Sequence, residues 1–184
     1  YIKLITQFKK QEVDFMKITS AQAAKLLRQF NDELRNLEIR ERNSKSFLAS
    51  LGEDPDSVRP DYDYKEMQNL QNKLEMKIRK LKHALNVFNA TTVIPEFDMT
   101  IDEMLIYLPQ LTNRCNKLSE MQNVLPKARE EGGYSRNSNI IDYRYANYDI
   151  EQVSKDYSEI FDKLSKAQTA LDLINNTVEF EIEI

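Results

Sequence analysis

A chain of 184 residues with 41% hydrophobic content is long enough to close one real core and short for two ordinary domains. Its net charge of −4, with 30% charged residues and only three glycines, fits a soluble helical protein and gives no general attraction to nucleic acid or to an anionic membrane. Cys115 is the single cysteine, which excludes an internal disulfide, and no stretch has the length of a membrane span or the layout of a signal peptide, so a cytoplasmic location is expected.

Residues 1–15, YIKLITQFKKQEVDF, precede Met16 and a far more regular run. They read as an appended or flexible segment: a strand around Ile2 to Phe8, a short helix, or sequence upstream of a start at Met16. Residues 16–184 are expected to form a single domain. From Leu27 the apolar positions step through Phe30, Leu34 and Leu37, then through polar Glu41 and Ser44 to Leu48 and Leu51. Alternating steps of three and four make a heptad seam. Thr19 with Gln22 forms a capping box ahead of it and Gly52 follows it, which predicts a first helix over 20–51. The connection GEDPDSVRPDY is prolyl, acidic and long enough to reverse direction, so the first two helices are expected to form an antiparallel hairpin.

The second helix is predicted over 64–89, opened by Asp63 with Glu66 and closed by Asn89, on the seam Met67, Gln71, Leu74, Ile78, Leu81, Leu85 and Phe88. It carries a basic run, Lys73, Lys77, Arg79, Lys80 and Lys82, interrupted only by Glu75. Such a run can track phosphates, but it lacks interleaved aromatics, and the acidic helices of the same chain can cover it. A solvated or internally paired face is the expectation. His83, the only histidine, sits among these cations, where metal binding is disfavoured.

Thr100 with Glu103 opens a third helix, predicted over 101–131, whose seam runs Ile101, Met104, Leu108, Leu111, Cys115, Leu118, Gln122 and Leu125. Pro109 removes one backbone hydrogen bond there, and because the seam keeps its register the helix should bend near Tyr107 rather than break. Cys115 lies on the seam and is expected to be buried as a small apolar group. Gly132-Gly133 then ends the helix and lets the chain turn back. The fourth seam, Ile150, Val153, Tyr157, Ile160, Leu164, Ala167, Leu171 and Ile174, has no polar interruption; Asp149 with Gln152 opens it, Phe161 and Leu173 widen it, and the helix is predicted over 150–175. Two segments of alternating polarity flank it, about 139–146 and 178–184, and read as strands lying partly in parallel. Their open edges call for pairing with residues 2–8 or with a second subunit, so a homodimer or higher homo-oligomer is expected through the fourth helix and these strands.

Tyr134, Ser135 and Arg136 begin a polar run with free amides and a guanidinium that could hold a phosphate or carboxylate. The blander reading is a solvated loop. With Arg144, Asn89 and Thr92 they are the candidate ligand-binding residues. No catalytic residue is assigned. No metal or cofactor is expected either, since no His, Cys or carboxylate cluster has ligand spacing and no glycine loop has a phosphate-binding pattern.

Asn89-Ala90-Thr91-Thr92 after a helical hairpin, Met99-Thr100-Ile101-Asp102-Glu103 opening the third helix, Tyr134-Ser135-Arg136 before a strand, and a terminal helix ending Asn176-Thr177-Val178-Glu179 together resemble a family of small bacterial proteins, some labelled septicolysin. The resemblance covers about residues 16–182 and departs from the family in lacking a tryptophan near Asn176. It implies a bacterial intracellular helical protein and brings no established activity; the label implies an oxygen-sensitive haemolysin, but the chain has no tryptophan-rich loop. The sequence therefore predicts an all-α antiparallel bundle of four long heptad-patterned helices with a minor strand element. It is expected to be a protein-interaction or assembly module rather than an enzyme, with an unidentified protein partner and neither nucleic acid nor membrane. The alternative is a small-ligand-binding protein or enzyme using the 134–144 segment.

Overall fold

The computed structural model of the chain describes residues 15–129 and 142–183. Among them the order is β1 (Phe15–Thr19), α1 (Ser20–Ser44), α2 (Pro55–Val58), α3 (Tyr64–Thr91), β2 (Val93–Ile94), β3 (Met99–Thr100), α4 (Ile101–Gln122), β4 (Lys127–Arg129), β5 (Tyr143–Tyr145), α5 (Ile150–Thr177) and β6 (Glu179–Glu183). The described residues are mostly helical, and the strands form three two-stranded antiparallel pairs. The chain divides into two compact units. Unit 1 holds the described residues up to Asn89 together with those from Asn175, and unit 2 holds Ala90–Ile174.

Helix starts follow local chemistry. Thr19 and Thr100 each form a full capping box, the hydroxyl accepting from the N3 amide while the N3 side chain accepts from the cap amide. The Asp63 carboxylate accepts from the Glu66 amide at 2.9 Å, and that of Asp149 from the amides of Glu151 and Gln152 at 2.9 and 3.2 Å. Helix ends depart from the sequence reading. α1 stops at Ser44 rather than 51, leaving Leu48 and Leu51 outside it and exposed. α4 stops at Gln122 rather than 131; Pro126, which bars Leu125 from helical conformation and has no amide to carry the ladder on, closes off any continuation, and Leu125 is exposed. α4 runs unbroken through Pro109. The carbonyl that proline deprives of a partner is that of Leu105, which is exposed, so water can bond it.

In unit 1, α1 and α3 are antiparallel. Glu41 near the end of α1 meets Gln68 and Gln71 near the start of α3, and Lys77 stands over the Phe30 ring at 5.7 Å. The core gathers Ala23 and Phe30 from α1 with Leu74, Ile78 and Leu81 from α3, closed by Ile18 and Ile182. Leu81 has no exposed surface, a burial that contributes about 1.5–3 kcal/mol. β1 pairs with β6, Ile18 opposite Phe180 and Met16 opposite Ile182, and the Phe180 ring stacks on Phe88 at 4.6 Å. The outer face carries the Lys17–Glu181 pair at 3.4 Å, and Glu183 reaches Lys80 at 3.1 Å. The Ser20 hydroxyl donates to the Asn175 side-chain oxygen at 2.7 Å. The terminal strand thus pairs with Phe15–Thr19. Its expected parallel partner, about 139–146, is instead represented by Tyr143–Tyr145, paired antiparallel with Lys127–Arg129. Residues 2–8 lie outside the described residues.

In unit 2, α4 and α5 are also antiparallel: the Tyr148 hydroxyl donates to the Met121 carbonyl at 2.9 Å, and Lys163 stands over the Tyr107 ring at 5.7 Å. Ile101, Met104, Leu111, Cys115 and Leu118 of α4 are buried, as are Val153, Ala167, Ala170, Leu171 and Ile174 of α5. Phe161 and Leu173, expected to broaden the buried face, stand exposed in this chain. The β2–β3 hairpin precedes α4, with Ile94 buried and Asp98 in the left-handed region at φ 50°, which aspartate enters more readily than most residues.

Candidate functional site

The helical hairpins are structural; chemistry that could meet a partner concentrates in their connections. The α1–α3 connection begins where the seam turns polar. The Glu41 carboxylate accepts from Gln71 Nε2 at 2.8 Å, Tyr62 Oη at 2.9 Å and Gln68 Nε2 at 2.9 Å. The bonds from Gln71 and then Tyr62 hold the Glu41 carboxyl below the usual carboxylate range, against partial desolvation. Desolvation, and then the Glu41 bond, push the Tyr62 phenol up. Beside this cluster, Arg40, Asp61, Asp63, Glu66 and Leu70 line a cleft of about 60 Å³, room for a few waters.

Beyond it the loop is built to hold its shape. Ser50 to Glu53 is a hydrogen-bonded turn, the Glu53 amide on the Ser50 carbonyl at 3.0 Å, and the Glu53 carboxylate accepts from the Ser50 amide at 2.9 Å. Gly52 takes φ 89°, which a side chain would resist. Asp54 caps the single turn of α2, Asp56 pairs with Arg59 at 2.9 Å, and Arg59 lies over the Phe47 ring at 5.7 Å. This scaffold presents Leu48, 95% exposed, and Leu51, fully exposed. Residues 45–63 carry Glu53, Asp54, Asp56, Asp61 and Asp63 against Lys45 and Arg59, a net charge of −3.

The α4–α5 connection contains a short ribbon. Lys127 lies opposite Tyr145, Arg129 opposite Tyr143, and Ala128 opposite Arg144, so alternation places Lys127, Arg129, Tyr143 and Tyr145 on one face. The Lys127 ammonium is 4.1 Å from the Tyr143 ring centre and 5.4 Å from that of Tyr145. All four side chains are exposed, and the ribbon is extended by the Ala146 amide on the Pro126 carbonyl at 3.2 Å.

Of the residues expected to share a ligand site, Thr92 and Arg144 lie at opposite ends of α4. Thr92 is half-buried in unit 2, its carbonyl bonded to the amide of Ile101 at the start of α4. Arg144 lies beyond the other end of the same helix, whose 22 residues span ~33 Å. Asn89 is half-buried in unit 1. Tyr134, Ser135 and Arg136 lie outside the described residues. Of the basic run on α3, Lys80 pairs with Glu183 and Lys77 covers Phe30; Lys73, Arg79 and Lys82 are exposed. Among the described residues no cluster of His, Cys, Asp or Glu could hold a metal ion, and no helix is long and apolar enough to cross a membrane.

From the sequence the first connection reads only as a reversal, and the second as a strand and candidate ligand segment without its Lys127–Arg129 partner. Glu41 and Gln71 were visible as polar interruptions of two seams, and an antiparallel register puts them at one level. The ribbon had no local signature, because its cations and its rings come from separate strands.

No protein-family model matches the chain, and no curated protein matches it. A solved structure, described as a functionally unknown conserved protein from Corynebacterium diphtheriae, is similar in fold, with a TM-score of 0.56 and 15% identity over 90% of this chain and 99% of that one. The likeness concerns fold alone.

Proposed function

We propose that the chain is a protein-interaction or assembly module in which helical hairpins carry shaped connections to a partner. The observation behind this reading is the pair Leu48 and Leu51, solvated on a turn that hydrogen bonds and a left-handed glycine hold in place. A single exposed leucine is ordinary; two almost fully exposed on a stiffened acidic loop, with Phe47 and Val58 partly exposed beside them, form an anchor that needs little ordering on binding. The proposal does not require the hairpins to merge into one four-helix bundle. A cytoplasmic location and kinship with the septicolysin-like proteins belong to the same proposal, supported by the lone buried Cys115 and by the quoted motifs. Ligand binding at 134–144 draws no support from the placement of Thr92 and Arg144.

A photo-crosslinking residue placed at position 51 in the producing cell tests this. The expected result is a discrete adduct that is lost with Leu48→Ser and reproduced with the purified, identified partner, while the same probe at Lys82 gives none. Equal, diffuse labelling from both positions overturns the reading.

A further inference from the structure

The two connections complement each other. The 45–63 loop is acidic and leads with two leucines, whereas the β4–β5 face sets two cations among two tyrosines, with Val124 and Leu125 exposed just before it. Tyrosine and arginine are the residues that anchor interfaces most often, because they bury large area with few rotors and keep a polar tip. We infer that the loop 45–63 of one copy docks on the Lys127/Arg129/Tyr143/Tyr145 face of a second copy. This rests on the interaction-module reading and names its partner as another chain of the same sequence.

Several features make the second copy the fitting occupant. The face bears no carboxylate among its four side chains, so it selects an acidic partner, and the loop concentrates five carboxylates within nineteen positions. Leu48 and Leu51 need an apolar surface, which the tyrosine rings and Leu125 offer. Lys127 already rests on both rings, so the ammonium is held at the face before binding. Because loop and face are different surfaces, the contact is heterologous: each copy would use its loop on one neighbour and its face on the next, producing rings or open chains.

The test uses two full-length variants that keep the helices untouched. One is Leu48→Ser with Leu51→Ser, the other Lys127→Glu with Arg129→Glu. By sedimentation, the unmodified protein should self-associate with concentration, at least ten times more weakly in 0.5 M salt than at low salt. Each variant alone should stay monomeric. Mixed together, they should form a one-to-one heterodimer, since each retains the half the other lacks. Circular dichroism matching the unmodified chain shows that each variant is folded; if the ribbon variant is not, Lys127→Gln with Arg129→Gln replaces it and should likewise lose self-association. A monomeric unmodified protein, a mixture that stays monomeric, or a position-51 crosslink that closes within one chain overturns the inference. If position 51 instead captures a different protein specifically, the module reading stands and the second copy is wrong.

Discussion

Along the α1–α3 hairpin the dry seam gives out before the helices do. Phe30, Leu74 and Ile78 are buried, Leu34 and Leu37 half-buried, Ile39 exposed, and at Glu41 three polar side chains meet one carboxylate, with Met67 the one buried apolar group beside them. Along α4–α5 the buried positions on α4 continue from Ile101 through Met104, Leu111 and Cys115 to Leu118, one turn short of the Tyr148 hydroxyl on Met121. The first hairpin therefore sets its far-end register by directional bonds to one carboxylate, the second by packing. Polar groups in a helical seam specify alignment at some cost in stability, because a shifted register leaves them without partners. A connection that must hold a defined surface gains from alignment more than from extra burial.

Removing a packed leucine should produce the largest effect. Leu81→Ala in the first hairpin and Leu111→Ala in the second should each cost ~2–5 kcal/mol by denaturant unfolding, whereas Leu34→Ala should cost clearly less. Equal losses at 81 and 34 would erase the gradient described for the first hairpin. The caps come next. Thr19→Ala and Thr100→Ala should each cost ~0.5–2 kcal/mol, the former more, because the Thr19 site is buried. A larger loss at Thr100 would mean that cap burial is not what separates the two.

The polar layer should show itself through pH. Glu41 has a lowered folded-state pKa, so its contribution is full above the ordinary carboxylate value of 4.5 and is lost as pH falls through the lowered one. Thermal midpoints of the unmodified chain and Glu41→Gln should differ at neutral pH and converge in acid. A difference constant from neutral to acid pH would remove the carboxylate from the register argument. The smallest effect is expected at the loop: Leu51→Ser should leave unfolding stability within ~0.5 kcal/mol of the unmodified chain. A substantial loss would show that Leu51 packs in solution and does not serve as a presented anchor.

Helix beginnings were legible because a cap is a contract between residues three apart: of the four boxes the sequence announced, those at Thr19 and Thr100 are reciprocal, and at Asp63 and Asp149 the carboxylate half is in place. Endings were less so. The seam ran on through Leu48, Leu51 and Leu125, but periodicity records only what could be buried, and no partner covers those side chains. Pro126 was the stop signal for α4, and it lost to Gly132 in the reading. Phe161 and Leu173 of α5, which the stripe also included, are exposed as well, with the Phe161 ring tilted against Tyr157 at 6.0 Å. Strand partners were only partly within reach: β4 is three residues, too short for its alternation to stand out, and β6 pairs with Phe15–Thr19 rather than with residues 2–8 of the same end of the chain.

That last pairing sets an order of events during synthesis. Unit 2 is one continuous stretch, complete once residue 174 has left the ribosome, while unit 1 lacks Ile182 and the stacking of Phe180 on Phe88 until residues after 179 emerge. At ~5–20 residues per second the first hairpin waits several seconds with one side of its core open. Nascent chains arrested with residue 174 exposed should therefore resist protease within 90–129 and 142–174 and be cut within 15–89, and protection of the early segment should appear only when β6 is released.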